Sequence, residues 1–352
     1  MKIENSNLIN YFLNNFKLNN IKDISGFLEF FYNEMQESIQ NTNNILDNDL
    51  IKSTIIFPKE YNIIENTSFI SDDIKHFVVK NTIFYYSFGF KIKSTSITIN
   101  IAIYDENYIK EMHHLLYSIM CWLYIAIKHK TKECSKYLKI YLFFTDFEKN
   151  INNCHILGPN NSNSGFTYAC ALDNTICIFR KEEIFKVLIH ETFHAFGLDF
   201  SHIGGNAKRE MLTIYNIKST FNISETYAEL WATIINSLFF VYFKLKKQKK
   251  NVFFKKSITV LNLETSFSIY QSIKILKNMN LNYNSILKEN NFECKYKEKT
   301  NIFCYYILKS VLLINIQTFL EMCKNHNYLN IKNKNMFKKL IKKVYNNRNV
   351  ID

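Results

Sequence analysis

Apolar residues recur along this chain with two different periods. Ile83–Phe88 and Lys91–Tyr104 are rich in β-branched and aromatic residues, and Ser94–Ile101 alternates polar with apolar. That is the pattern of extended chain, and it predicts a pair of strands with Gly89 between them. From 106 to 129 the period lengthens. Ile109, Met112, Leu115, Leu116, Ile119, Met120 and Leu123 fall at helical spacing on more than one side, as in a helix packed under a sheet. Tyr137–Phe144 reads as strand again. Beyond a polar loop over 150–165, Phe166–Leu172 and Thr175–Arg180 read as two more strands, split by Asp173-Asn174. A helix is predicted from about Lys181 to Gly197, a residue suited to a left-handed C-cap. A second runs from Ser224, a candidate N-cap, to about Lys246.

The flanks are helical in pattern. Gly26 to about Ile39 forms an amphipathic stretch, and Asn-Thr-Asn-Asn at 41–44 reads as a loop. The basic run Lys244–Lys250 reads as a solvated linker. Helices are predicted near 261–279, 302–323 and 335–346, and no catalytic constellation is evident among them. The chain thus divides into an N-terminal helical segment (1–80), a core (81–250) and a helical C-terminal extension (251–352). The expected fold class is α+β, with a small mixed β-sheet, a backing helix and a largely helical C-terminal part.

Composition refines this picture. A hydrophobic fraction of 47% supports a buried core. The formal charge of +13 does not by itself argue for nucleic acid, because Asn, Ile, Lys, Tyr and Phe are enriched together, as AT-rich codon usage produces. No nucleic-acid partner is expected. The eight cysteines form no C-x-x-C pair and read as free, small hydrophobes. The first residues lack a secretory signal, so a soluble protein in a reducing intracellular setting is expected. Leu230–Phe243 and Ile302–Leu320 read as buried core helices and not as membrane spans. Five of the seven glycines (Gly158, Gly165, Gly197, Gly204, Gly205) cluster between 158 and 205, which marks special backbone geometry there.

The chemistry concentrates in that region. His190-Glu191-Thr192-Phe193-His194 is a His-Glu-x-x-His sequence. On a helix the two histidines lie about 40° apart and roughly 6 Å along the axis, so both imidazoles can reach one metal ion. Glu191 is then placed to take a proton from a metal-bound water. His113 and His114 are adjacent, point about 100° apart, and are read as structural. A catalytic zinc needs a third protein ligand, and two routes compete. In the first it comes from the following helix, where Glu225 and Glu229 share a face. One can bind metal while the other holds a ring N–H of a ligating histidine. Two acids on an otherwise apolar helix are costly to bury unless paired or metal-bound. A helix N-terminus that simply favours acids is the plain reading of the same residues. In the second route the ligand follows Gly197, but that register holds Phe200, with Asp199 one short and His202 two long.

The strands, backing helix, HExxH helix and later Glu-x-x-Ala-Glu helix together resemble zincins of the gluzincin type. Residues 155–235 are also similar to metallopeptidase-like proteins of large DNA viruses. The resemblance implies a zincin-like fold and hydrolysis of peptide bonds, with one Zn²⁺ per chain held by His190, His194 and Glu225. It implies Glu191 as general base, Glu229 as the acid behind the ligands, and a protein or peptide substrate aligned along the edge strand Phe166–Leu172. Tyr168, His202 and Tyr215 are the candidate oxyanion donors. A viral origin would place the protein in the host cytoplasm or the virion. The alternative is a catalytically silent zincin-fold protein with a structural or virion-associated role.

Overall fold

The structure is a computed structural model that describes residues 23–54, 67, 69–151, 156–201, 211–219, 222–245, 249–290, 293, 295–329 and 333–345. The chain separates into two compact units. One comprises 31–150 and 159–203 and carries the sheet; the other comprises 1–30, 151–158 and 204–352 and is helical.

Among the described residues, six strands form one mixed sheet. They are β1 (Ile51–Thr54), β2 (Phe84–Ile92), β3 (Thr95–Ile103), β4 (Tyr137–Phe143), β5 (Gly165–Thr167) and β6 (Asp173–Ile178), in the order β1-β2-β3-β4-β6-β5. The pairs β3/β4 and β4/β6 are parallel and the others antiparallel. The α+β class and the mixed sheet agree with the apolar pattern. β3 and β4 are buried along most of their length, which explains their near-continuous apolar character.

Around the sheet, α1 spans Ser25–Asn48, α2 Asp72–Asn81, α3 Ile109–His129 and α4 Ile184–Ala195. α3 is the backing helix: Met112, Ile119, Met120, Trp122, Leu123 and Ile125 are fully buried. Asp105 caps the 3-10 turn that leads into it, accepting from the Asn107 N–H at 2.9 Å. His113 donates Nδ1–H to the Ile109 carbonyl, 2.8 Å away, one turn back on the same helix.

The helical unit contains α5 (Ile223–Lys244), α6 (Lys250–Asn278), a π-helix at Phe303–Leu308 that continues as α7 (Lys309–Ile314), α8 (Ile316–Lys324) and α9 (Lys334–Val344). Its core is aromatic. Trp231 packs on Phe27 and Phe319 at ring-centroid distances of 5.5 and 5.1 Å, and Tyr227 on Phe337 at 5.3 Å. Among the described residues no single helix is long and apolar enough to cross a membrane. A pair bent by 85°, Phe303–Ile314 with Ile316–Lys324, passes by length and composition. Most of its apolar side chains are buried in the fold.

Four local expectations are corrected. The Asn-rich stretch 41–44 lies inside α1. Asn41 Nδ2 donates to the Glu37 carbonyl at 2.9 Å, and Asn43 accepts from the Tyr117 hydroxyl at 3.0 Å, so these side chains bond within the fold. The turn between β2 and β3 falls at Lys93-Ser94, with Lys93 at φ 51°. Gly89 is mid-strand, paired with Thr98, because the alternation of buried side chains runs on through Phe90 and Ile92. The N-cap of α5 is Asn222, whose Oδ1 accepts from the Ser224 N–H at 3.0 Å, while Ser224 is buried inside the helix. Cys134 and Cys170 are joined in a disulfide and are not free thiols. Their Cα atoms are 4.4 Å apart, a separation that a disulfide can span.

Candidate metal centre

The His-Glu-x-x-His sequence lies in α4, and three features hold that helix. From behind, the Trp122 indole N–H donates to the Thr192 hydroxyl at 2.8 Å, and the Trp122 ring stacks on Phe193 at 6.1 Å. From the sheet side, β5 approaches closely at Gly165, where a Cβ would meet Val187 Cγ1 and the Cys177 carbonyl, both at 2.9 Å. Only glycine fits there, so one member of the glycine cluster marks a close strand–helix contact. Arg180, itself buried, donates to the carbonyls of Asn163, Phe147 and Asn160 and so fixes the chain leading into β5.

The third feature is the C-terminal end of α4. Gly197 takes φ 62°, and the Gly197 and Leu198 N–H groups donate to the carbonyls of His194 (3.2 Å) and Phe193 (2.9 Å). This is a Schellman stop, as a glycine just past a helix permits. Neighbouring loops supply further donors to the last carbonyls. Cys170 N–H donates to His194 O at 3.0 Å, Ser135 Oγ to Ala195 O at 2.7 Å, and Thr131 N–H to Phe196 O at 3.0 Å. The disulfide joins the two loops that carry these donors.

His190, Glu191 and His194 are all buried, with 7, 7 and 8% of their surfaces exposed. The two imidazoles turn their Nε2 atoms to within 3.1 Å of each other, with the rings at 73°. Two ligands about 2.05 Å from a tetrahedral zinc lie about 3.3 Å apart, so this spacing suits a shared ion. Two ring lone pairs aimed at one point repel unless a proton or a cation lies between them. His194 has a further partner. Its Nδ1 lies 2.5 Å from Asp199 Oδ2, and the Asp199 side chain is wholly buried. The Glu191 charge adds to burial, the larger cause, in pushing the Cys177 thiol far above its ordinary range. Cys177 is therefore an inert core residue.

In the helical unit, Glu225 lies in the first turn of α5, and Glu229 follows one turn later. The helix that begins as the π-turn meets both. The Tyr305 hydroxyl donates to Glu225 Oε2 at 3.1 Å, and Lys309 Nζ lies 3.7 Å from Glu229 Oε1. Tyr305 and Lys309 are four residues apart, as are Glu225 and Glu229, and the two pairs meet side by side. The segment that carried no recognisable motif thus supplies partners to both acids. Irregular helical turns of this kind recur at functional sites.

His190 and His194 thus come together within the sheet unit, while Glu225, the third ligand that the resemblance implies, belongs to the helical unit. Of the candidate oxyanion donors, Tyr168 follows β5 and is exposed. Tyr215 is fully buried; its hydroxyl lies 3.1 Å from that of Tyr283, which donates onward to the Tyr345 carbonyl. Burial, with Tyr283 beside it, holds the Tyr215 hydroxyl well above its ordinary pKa. His202 lies outside the described residues. No motif in the sequence marks Asp199, Tyr305 or Lys309 as a site residue, and Asp199 stands there only one short of a ligand register.

Comparison with known proteins finds a viral relative. The chain is 30% identical over 174 residues to an uncharacterised protein of Acanthamoeba polyphaga mimivirus. The aligned stretch is 47% of this chain and 43% of that protein, so less than half of the relative's length is represented. No family model matches the chain, and no solved structure matches it. The chain therefore has a giant-virus relative, in keeping with the viral resemblance of its motif region.

Proposed function

We propose that this protein is a zincin-type metallopeptidase that binds one zinc ion through His190, His194 and Glu225, with Glu191 as its general acid–base. The observation that carries this reading is the convergence of the His190 and His194 Nε2 atoms at 3.1 Å on a buried helix that also carries Glu191. A purely structural site has no need of a carboxylate at that position. Zinc bound by such a set supplies Lewis acidity and lowers the pKa of a bound water. Glu191, on the same helix as the two histidines, would act as the base that accepts a proton from the attacking water and as the acid that passes it to the leaving amine of the peptide. Asp199 restrains His194, and Tyr305 restrains the Glu225 carboxylate through Oε2.

The substrate of this reading is a protein or peptide in extended form. β5 is one edge of the sheet and packs against α4, so a strand added to that edge would run beside the motif helix. Tyr168, exposed just beyond β5, is the candidate of the three best placed to meet it. The test is incubation of the zinc-loaded full chain with a broad peptide library, beside Glu191→Gln. Cleavage by wild type and its loss in Glu191→Gln, with zinc retained, supports the enzyme. No cleavage by zinc-loaded wild type points instead to a catalytically silent, structural or virion-associated protein.

A further inference from the structure

The turn after α4 brings a second acid to the motif. Gly197 reverses the chain, Leu198 N–H closes on the Phe193 carbonyl, and Asp199 arrives beneath the His194 ring. Its carboxylate is 2.5 Å from Nδ1 through Oδ2, and Oδ1 accepts from both the N–H and the hydroxyl of Ser201, at 3.1 and 2.7 Å. Both oxygens are therefore engaged, and the carboxylate is tied to its own turn. With its side chain wholly buried, it is costly to keep there without hydrogen-bonding partners.

We propose that Asp199 is a positioning residue that sets the tautomer and orientation of His194 for metal binding. A carboxylate can only accept, so Nδ1 carries the proton. In the neutral ring Nε2 then bears the lone pair, and it is Nε2 that meets His190 Nε2. His194 is held at main chain and side chain. Its backbone carbonyl accepts from Cys170 N–H, and its Nδ1 faces a carboxylate that Ser201 restrains. A carboxylate on the far nitrogen also makes the near nitrogen a stronger donor. This inference rests on the metal-site reading given above.

The experiment uses the full chain in three measurements. Zinc affinity is obtained by competition with a chromophoric chelator, Co²⁺ binding by visible absorption, and the His194 tautomer by ¹⁵N NMR of the zinc-loaded protein. Asp199→Ala is expected to weaken zinc binding about 10–100-fold. Asp199→Asn, whose amide oxygen still accepts from Nδ1–H, is expected to lose less and to shift the cobalt spectrum. The wild-type spectrum should show His194 protonated at Nδ1, a readout that does not depend on any variant folding. Wild-type affinity and cobalt spectrum in both folded variants, or a His194 protonated at Nε2, overturns the positioning role alone. A wild-type chain that binds neither zinc nor cobalt overturns the metal reading as well.

Discussion

The Trp122 indole N–H and the Thr192 hydroxyl lie 2.8 Å apart, both wholly buried, and join the backing helix to the motif helix from behind. Thr192 donates its own proton to the Ile189 carbonyl at 2.7 Å, so its oxygen is free to accept from Trp122. Thr192 occupies one of the two variable positions of the His-Glu-x-x-His sequence, and here that position serves to anchor the helix.

Thr192→Val keeps the shape and removes the acceptor. That deletes one hydrogen bond of a buried indole N–H, at a cost of about 1–3 kcal/mol. Urea denaturation should show that loss of stability, with zinc affinity changed far less than by loss of a ligand. Unchanged stability would mean that this bond contributes nothing to holding α4.

Lys309 and Glu229 form the buried rung beside Tyr305 and Glu225, with side chains 7 and 12% exposed. Lys309→Met removes the cation that faces Glu229 across 3.7 Å and should destabilise the chain by about 3 kcal/mol. Adding Glu229→Gln should recover most of that loss. The double variant separates the pairing from the packing of α5 against the π-helix and α7. If the two losses simply add, the ion pair is not what links these helices.

Glu298 titrates in a window that can be read directly. Burial raises its carboxyl from 4.5 to about 7, against the opposing bonds from the Tyr296 hydroxyl and the Phe303 N–H. The folded state prefers the protonated acid. That contribution is complete below about pH 4.5 and is lost as pH rises through 7, a change on the order of 3 kcal/mol. Stability of the wild type should therefore fall between pH 5 and pH 8, and Glu298→Gln should flatten the curve in that range. An unaltered pH profile in Glu298→Gln would show that another group controls it.

Much of the sheet unit was legible in the sequence because periodicity reports burial. The alternation over 94–101 is β3, the helical spacing over 109–123 is α3, and Gly197 stops α4 through its positive φ. The metal-ligand spacing of His190 and His194 was legible for the same reason, since one helix supplies both. What escaped depends on partners distant in sequence. The asparagines at 41–44 look like a loop until Tyr117 and the Glu37 carbonyl occupy them. Cys134 and Cys170 are 36 residues apart, with no local pattern to pair them. Tyr305 and Lys309 lie in an apolar run whose helical period reports its core, and only packing against α5 gives them a role. Asp199 was visible, one residue short of a ligand register. Its part follows from the Schellman turn, which carries it behind His194 and not in front.

The most direct test of the account is zinc stoichiometry and affinity of the purified full chain, measured beside Glu225→Ala and Glu229→Ala. We expect one zinc per wild-type chain, a loss of affinity of two or more orders of magnitude in Glu225→Ala, and a smaller loss in Glu229→Ala. Wild-type affinity in Glu225→Ala with binding abolished in Glu229→Ala would contradict the assignment of His190, His194 and Glu225 as the ligands.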